Sequence, residues 1–123
     1  MTIEIITVSA EKATEIINLA VDELQAGSIA KSNQNCYLAK DGDKYIAIDN
    51  TNGDCWVEEF NSLYVANLWL SGDMDADEAG DADIAILRVA EAINMHPWYE
   101  NETIERCREM AEHTIMNLRK GAK

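Results

Sequence analysis

Three aspartates alternate at Asp73, Asp75 and Asp77, and alternating carboxylates can turn their oxygens onto a calcium ion. The rest of that pattern is missing. The sixth position of such a loop needs glycine for its sharp turn, and here it is Glu78; the twelfth needs a bidentate glutamate, and here it is Ile84. The two histidines, His96 and His113, have no cysteine or carboxylate at the spacing of a zinc site. Cys36, Cys55 and Cys107 are an odd, widely spaced set, which argues against a disulfide framework and for a reduced, cytoplasmic protein. A cysteine–histidine nucleophile pair meets only in space, so spacing does not decide it. No glycine-rich phosphate loop or nucleophile elbow occurs. The expectation is a protein without enzymatic activity, metal or cofactor.

The clearest chemical signal is charge. The chain carries 23 acids against 10 bases, a net charge of -13 in 123 residues. Residues 1–40 are net -2 and residues 84–123 net 0, so residues 41–83 hold -11, with Lys44 as their one base. A merely solvated surface mixes its signs. A block of like charge repels itself and attracts a basic partner. The residues expected to meet that partner are Asp41, Asp43, Asp49, Asp54, Trp56, Glu58, Asp73, Asp75, Asp77 and Glu78. Nucleic acid and anionic membranes are excluded as direct partners, because phosphate binding needs clustered lysine and arginine. The start lacks a basic segment followed by a long apolar run, so no signal peptide is expected, and no stretch is long and apolar enough to span a membrane.

These residues need a scaffold, and length and apolar content predict one domain over 1–123. Thr2–Val8 reads as a strand. Ser9 caps a helix over 10–26, with Ala13, Ile16, Ile17, Ala20, Val21 and Leu24 at helical spacing. Three strands follow at 35–40, 44–49 and 55–60, joined by Asp41-Gly42-Asp43 and Asn50-Thr51-Asn52-Gly53-Asp54. Alternation then places Cys36, Leu38, Ile46, Ile48, Cys55 and Val57 on one face, and Tyr37, Tyr45, Trp56 and Glu58 on the other. A helix over 62–70 has a stripe of Leu63, Ala66, Asn67 and Leu70. Next come an acidic loop over 73–81, a largely buried helix over 83–94, and a last helix from Pro97 or Asn101 to Lys120. The result is an α+β fold in the order β-α-β-β-β-α-α-α, with an antiparallel sheet of three to four strands packed by helices. Residues 10–70 share the element order of a double-stranded-RNA-binding domain, but their charge opposes that function.

In its acidity, its small α+β design and its segment from Asp41 to Asp83, the chain resembles the small acidic inhibitors of phages and other mobile elements, anti-CRISPR and anti-restriction proteins. The resemblance implies a protein that covers the basic nucleic-acid-binding surface of a larger partner, such as a CRISPR effector or restriction complex. It transfers no residue roles. A different reading is a small structural or regulatory domain, monomeric or weakly dimeric, that self-associates through Ile104, Cys107, Ala111, Thr114 and Leu118 of the last helix. The charge distribution has a direct consequence: a gel shift with duplex DNA at physiological salt should show free DNA up to micromolar protein. A shifted band that weakens steeply with added salt would contradict it.

Overall fold

The computed structural model describes residues 4–99 and 101–121. The described chain is α+β and follows the expected order, with β1 (Ile5–Ser9), α1 (Ala10–Gln25), β2 (Cys36–Asp41), β3 (Lys44–Asp49), β4 (Trp56–Phe60), α2 (Leu63–Leu70), α3 (Ala76–Met95), a short 3-10 turn (Pro97–Tyr99) and α4 (Ile104–Gly121). It divides into two compact units, Met1–Asp73 and Met74–Lys123. No helix among the described residues is long and apolar enough to cross a membrane.

The first unit holds one sheet in the order β1-β2-β3-β4. It is mixed, not antiparallel throughout. Both hairpins, β2–β3 and β3–β4, are antiparallel, but β1 runs parallel to β2, with Ile6 beside Tyr37 and Val8 beside Ala39. Parallel neighbours need a crossover of a dozen or more residues, and α1 with the loop after it supplies one. Ser9 starts α1 as expected, its hydroxyl accepting from the Lys12 N–H at 3.1 Å.

The facing of the strands departs from the expected one. Asp41 pairs directly with Lys44, so the turn holds two residues, Gly42 and Asp43, not three. Gly42 has φ +64°, a conformation that a two-residue hairpin favours at this position. Because side chains alternate with period two, that one-residue difference transfers a whole strand to the other face. Tyr37, Ala39 and Ile48 therefore share a face, packed with Ala13 and Ile16 of α1 and flanked by Ile6, Val8, Ile17, Ile46 and Cys55. The fully buried Ile16 and Ile48 each contribute roughly 1.5–3 kcal/mol from burial alone. Cys36, Leu38, Ala47 and Phe60 face the opposite way, towards α2: the Cys36 thiol lies 3.9 Å from the Leu70 carbonyl, and the rings of Phe60 and Trp69 are 5.9 Å apart. β2 is covered on both faces, and so Cys36, Tyr37, Leu38 and Ala39 are all buried. Within α2, which Ser62 caps, the buried residues are Val65, Ala66 and Leu70; Leu63 and Asn67 of the expected stripe are exposed.

The long β3–β4 connection is held by Asn50, which is buried. Its Nδ2 donates to the carbonyls of Ala30, at 2.8 Å, and Asn33, at 2.7 Å. Its Oδ1 accepts from the Cys55 N–H at 3.0 Å, and its own N–H donates to the Asn35 carbonyl. One side chain thus ties the loop after α1 to the start of β4. Beside it, the Ala30 N–H donates to the Gly53 carbonyl at 2.8 Å. Gly53 has φ +81°, and a Cβ there would sit 2.8 Å from the Ile29 Cβ.

In the second unit, α3 begins seven residues before the expected Asp83. Asp75 is its N-cap, accepting from the Glu78 N–H at 2.8 Å, and the Glu78 carboxylate reaches back to the Asp75 N–H at 3.4 Å. The expected acidic loop is in large part the first turns of a helix, where carboxylates complement the helix dipole. Ala79, Asp83, Ile86 and Ala90 form the buried stripe, and Ile84 is exposed, so α3 is amphipathic and not buried all round. α4 packs on α3, with the Cys107 thiol 3.8 Å from Asn94 Oδ1.

Asn50→Ala should lower stability by about 2–4 kcal/mol, since it removes at once three hydrogen bonds of a buried side chain, one of them fully buried and two partly so. Urea unfolding should show a lower midpoint at unchanged slope. Gly42→Ala, where a Cβ meets open space, should cost only the conformational penalty of about 1–2 kcal/mol. Gly53→Ala should cost more, because it adds the clash with Ile29. Equal losses for the two glycines, or a neutral Asn50→Ala, would contradict this description of the loop.

Candidate functional site

The ten residues expected to contact a partner separate into three places. Asp41 and Asp43 sit at the β2–β3 turn. Asp49, Asp54 and Trp56 lie where β3 leaves and β4 enters, at the other end of β3, and Glu58 follows two residues along β4, opposite Ala47. Five strand steps separate those ends, about 17 Å. The remaining four follow α2: Asp73 closes the first unit, while Asp75, Asp77 and Glu78 open the second. The contiguous acidic segment is therefore divided between two units.

Several of these carboxylates have structural work. Asp75 and Glu78 form the capping box of α3. Asp73 accepts from the Ser71 hydroxyl at 2.9 Å. Asp49 accepts from the Thr51 N–H and hydroxyl, at 3.2 and 2.8 Å. Among the described residues, no group of three or more histidine, cysteine or acidic side chains is placed to hold a metal ion. The side chains of Asp41, Asp54 and Asp77 are exposed, at the β2–β3 hairpin, in the loop before β4 and in the first turn of α3, whereas Glu58 is half-buried on the sheet.

The grouping around β4 has the most distinctive surface. β4 is an outer strand. Trp56 pairs with Asp49, and Glu58 with Ala47, on the α2 side of the sheet. Trp56 is 65% exposed. On the other side are Val57, 40% exposed, and Glu59, whose carboxylate pairs with Lys44 at 3.5 Å. The chain enters this strand through Cys55, which has φ +51°, a strained value for a residue with a Cβ. The bond from its N–H to Asn50 holds it there. The expected aromatic trio does not form: Tyr37 is buried on the α1 face, while Tyr45 and Trp56 face the α2 side. The sequence reading missed Val57 and Glu59 as part of this surface, since alternation assigned Val57 to the core and nothing local marks β4 as an edge.

Cys36 and Cys55 hold their protons more tightly than a free thiol. Burial pushes the Cys36 thiol up to about 11, helped by the Asp49 charge and by its hydrogen bond to that carboxylate; burial also raises Cys55. His96 accepts the Trp98 N–H through Nδ1 at 3.2 Å, and its ring meets that of Trp98 edge-on. Of the expected self-association seam, Cys107 and Ala111 are buried and Thr114 is exposed, donating to the Met110 carbonyl. The side chains of Ile104 and Leu118 lie outside the described residues.

Comparison with protein-family models, with curated proteins and with solved structures gives no match to this chain.

The Cys36 thiol has a pH signature. An unfolded chain releases this proton near 9.0, whereas the folded chain holds it to about 11. Its contribution to stability is complete below pH 9 and is lost as pH rises from 9 to 11. In urea melts across that window, wild type should lose stability more steeply than Cys36→Ala. Parallel curves would show that the thiol does not titrate as described. In the second unit, Asp75→Ala should cost about 1 kcal/mol through loss of the cap, and Asp77→Ala clearly less, by the same melts.

Proposed function

We propose that the protein is a non-enzymatic binding protein that sets its acidic surface against the basic, nucleic-acid-binding surface of a larger protein, and so inhibits it. The observation that carries this reading is the concentration of charge: residues 41–83 hold a net -11, and their one base, Lys44, is already paired with Glu59. Trp56 supports it, because an exposed aromatic beside carboxylates supplies the apolar contact that slows dissociation, while the charges speed encounter. A CRISPR effector or a restriction complex has the required basic groove. Self-association through α4 is the lesser reading, because Cys107 and Ala111 of that seam are already buried.

The test is kinetic. A partner captured from host lysate is immobilised, and association rates are measured at low and high salt, with duplex DNA as competitor. Asp54→Lys with Glu58→Lys should reduce the on-rate at least tenfold at low salt, and Asp41→Lys with Asp43→Lys should reduce it as well, both with native circular dichroism. Added DNA should compete. Glu109→Lys in α4 should change little. Wild-type rates for both acidic-surface variants, or binding untouched by DNA, would defeat the proposal.

A further inference from the structure

We infer that the outer edge of β4 accepts an extended, basic segment of the partner as an added strand. The inference rests on the proposed acidic-surface function and specifies how contact is made. An outer strand presents backbone N–H and C=O groups on the side away from its neighbour, a template for strand addition. β4 is such a strand, and it is decorated in an ordered way. Trp56 and Val57 are exposed on opposite faces at its start; Glu58, half-buried, and Glu59, exposed and within reach of Lys44 at 3.5 Å, follow, again on opposite faces. A strand laid alongside would meet two apolar positions and then two carboxylates. Its best complement carries two consecutive basic residues next to two apolar ones, since directly opposed side chains on a sheet form the favourable pairs.

A second copy of this chain fits poorly. Centred antiparallel pairing of β4 with itself sets Glu58 against the Glu58 of the other copy, in a chain of net -13, and like charges directly opposite destabilise a sheet. The opposite edge, β1, carries no carboxylate at all, so charge selects β4. The entry to β4 is also fixed before any partner arrives, because Asn50 anchors the Cys55 N–H. A pre-set edge loses less entropy on binding than a loose one.

The probe is a capped eight-residue peptide of repeating Lys-Lys-Val-Val, which offers the complement in either strand direction. Its control is the same peptide methylated on every backbone nitrogen, with the charge retained and the N–H donors removed. Titration with the unmethylated peptide should slow hydrogen exchange of β4 amides and leave α4 unchanged. The methylated peptide should bind at least tenfold more weakly. Glu58→Lys with Glu59→Lys should weaken the unmethylated peptide to a similar degree. Equal affinity for the two peptides would overturn strand addition and leave the acidic-surface proposal standing, because charge alone would then explain binding. Failure of the unmethylated peptide to bind, or protection confined to residues outside β4, would also overturn it. The wider proposal fails separately, through the on-rates of the Asp54 and Glu58 variants with the captured partner.

Discussion

The constraint on which the first unit depends is the satisfaction of one buried amide. Asn50 uses both Nδ2 protons and Oδ1, on Ala30, Asn33 and Cys55, at 2.7 to 3.0 Å. The segments it joins come from different parts of the chain, the loop that returns from α1 and the loop that leads into β4. Each has polar backbone that packing alone would leave without partners. A buried network of this kind fixes one arrangement, since any other strands an amide or a carbonyl in a dry site. It also holds Cys55 at a backbone angle it would not otherwise keep. Apolar side chains of α1 and α2 pack the two faces of the sheet; the amide decides where β4 begins and which side chains it shows.

That decision matters because the acidic residues do different jobs. Around residues 73–78 the carboxylates build structure: they cap α3 and close the turn before it. Asp49 is held by Thr51 and lies against a buried thiol. Asp54 and Glu58 flank an exposed tryptophan on an outer strand, next to Glu59. Two effects of negative charge on an edge pull the same way. It repels a second acidic copy, and it attracts a basic segment.

Local patterns in the sequence were sufficient for much of the fold. Ser9 and the apolar spacing of residues 13–24 define α1, and the β-branched and turn residues delimit the strands to within a residue or two. The facing of the strands was not legible. It hangs on whether Asp41 lies in the turn or in the ladder, and β-propensity does not separate those cases. The start of α3 was legible and was obscured by composition: Asp75 and Glu78 have the spacing of a capping box, but a dense run of acids reads as a loop. The parallel placement of β1, the edge position of β4 and the role of Asn50 all come from contacts distant in sequence. An asparagine at the head of a turn gives no sign that Ala30 and Asn33 will receive its amide. The charge of residues 41–83 was plain in the sequence; its division between two units and between structural and projecting carboxylates was not.

Native-state hydrogen exchange on the unliganded protein measures the Asn50 clasp most directly. The amides of Ala30, bonded to Gly53, and Cys55, bonded to Asn50, lie in connecting segments where exchange is ordinarily fast. If the clasp sets the entry to β4, both exchange about as slowly as Ala47 in the middle of β3, and both accelerate by orders of magnitude in Asn50→Ala while Ala39 keeps most of its protection. Rapid exchange of Ala30 and Cys55 in the wild-type protein, on the timescale of the exposed Asn52, would show that the entry to β4 is loose and that the surface carrying Trp56 and Glu58 is not built as described.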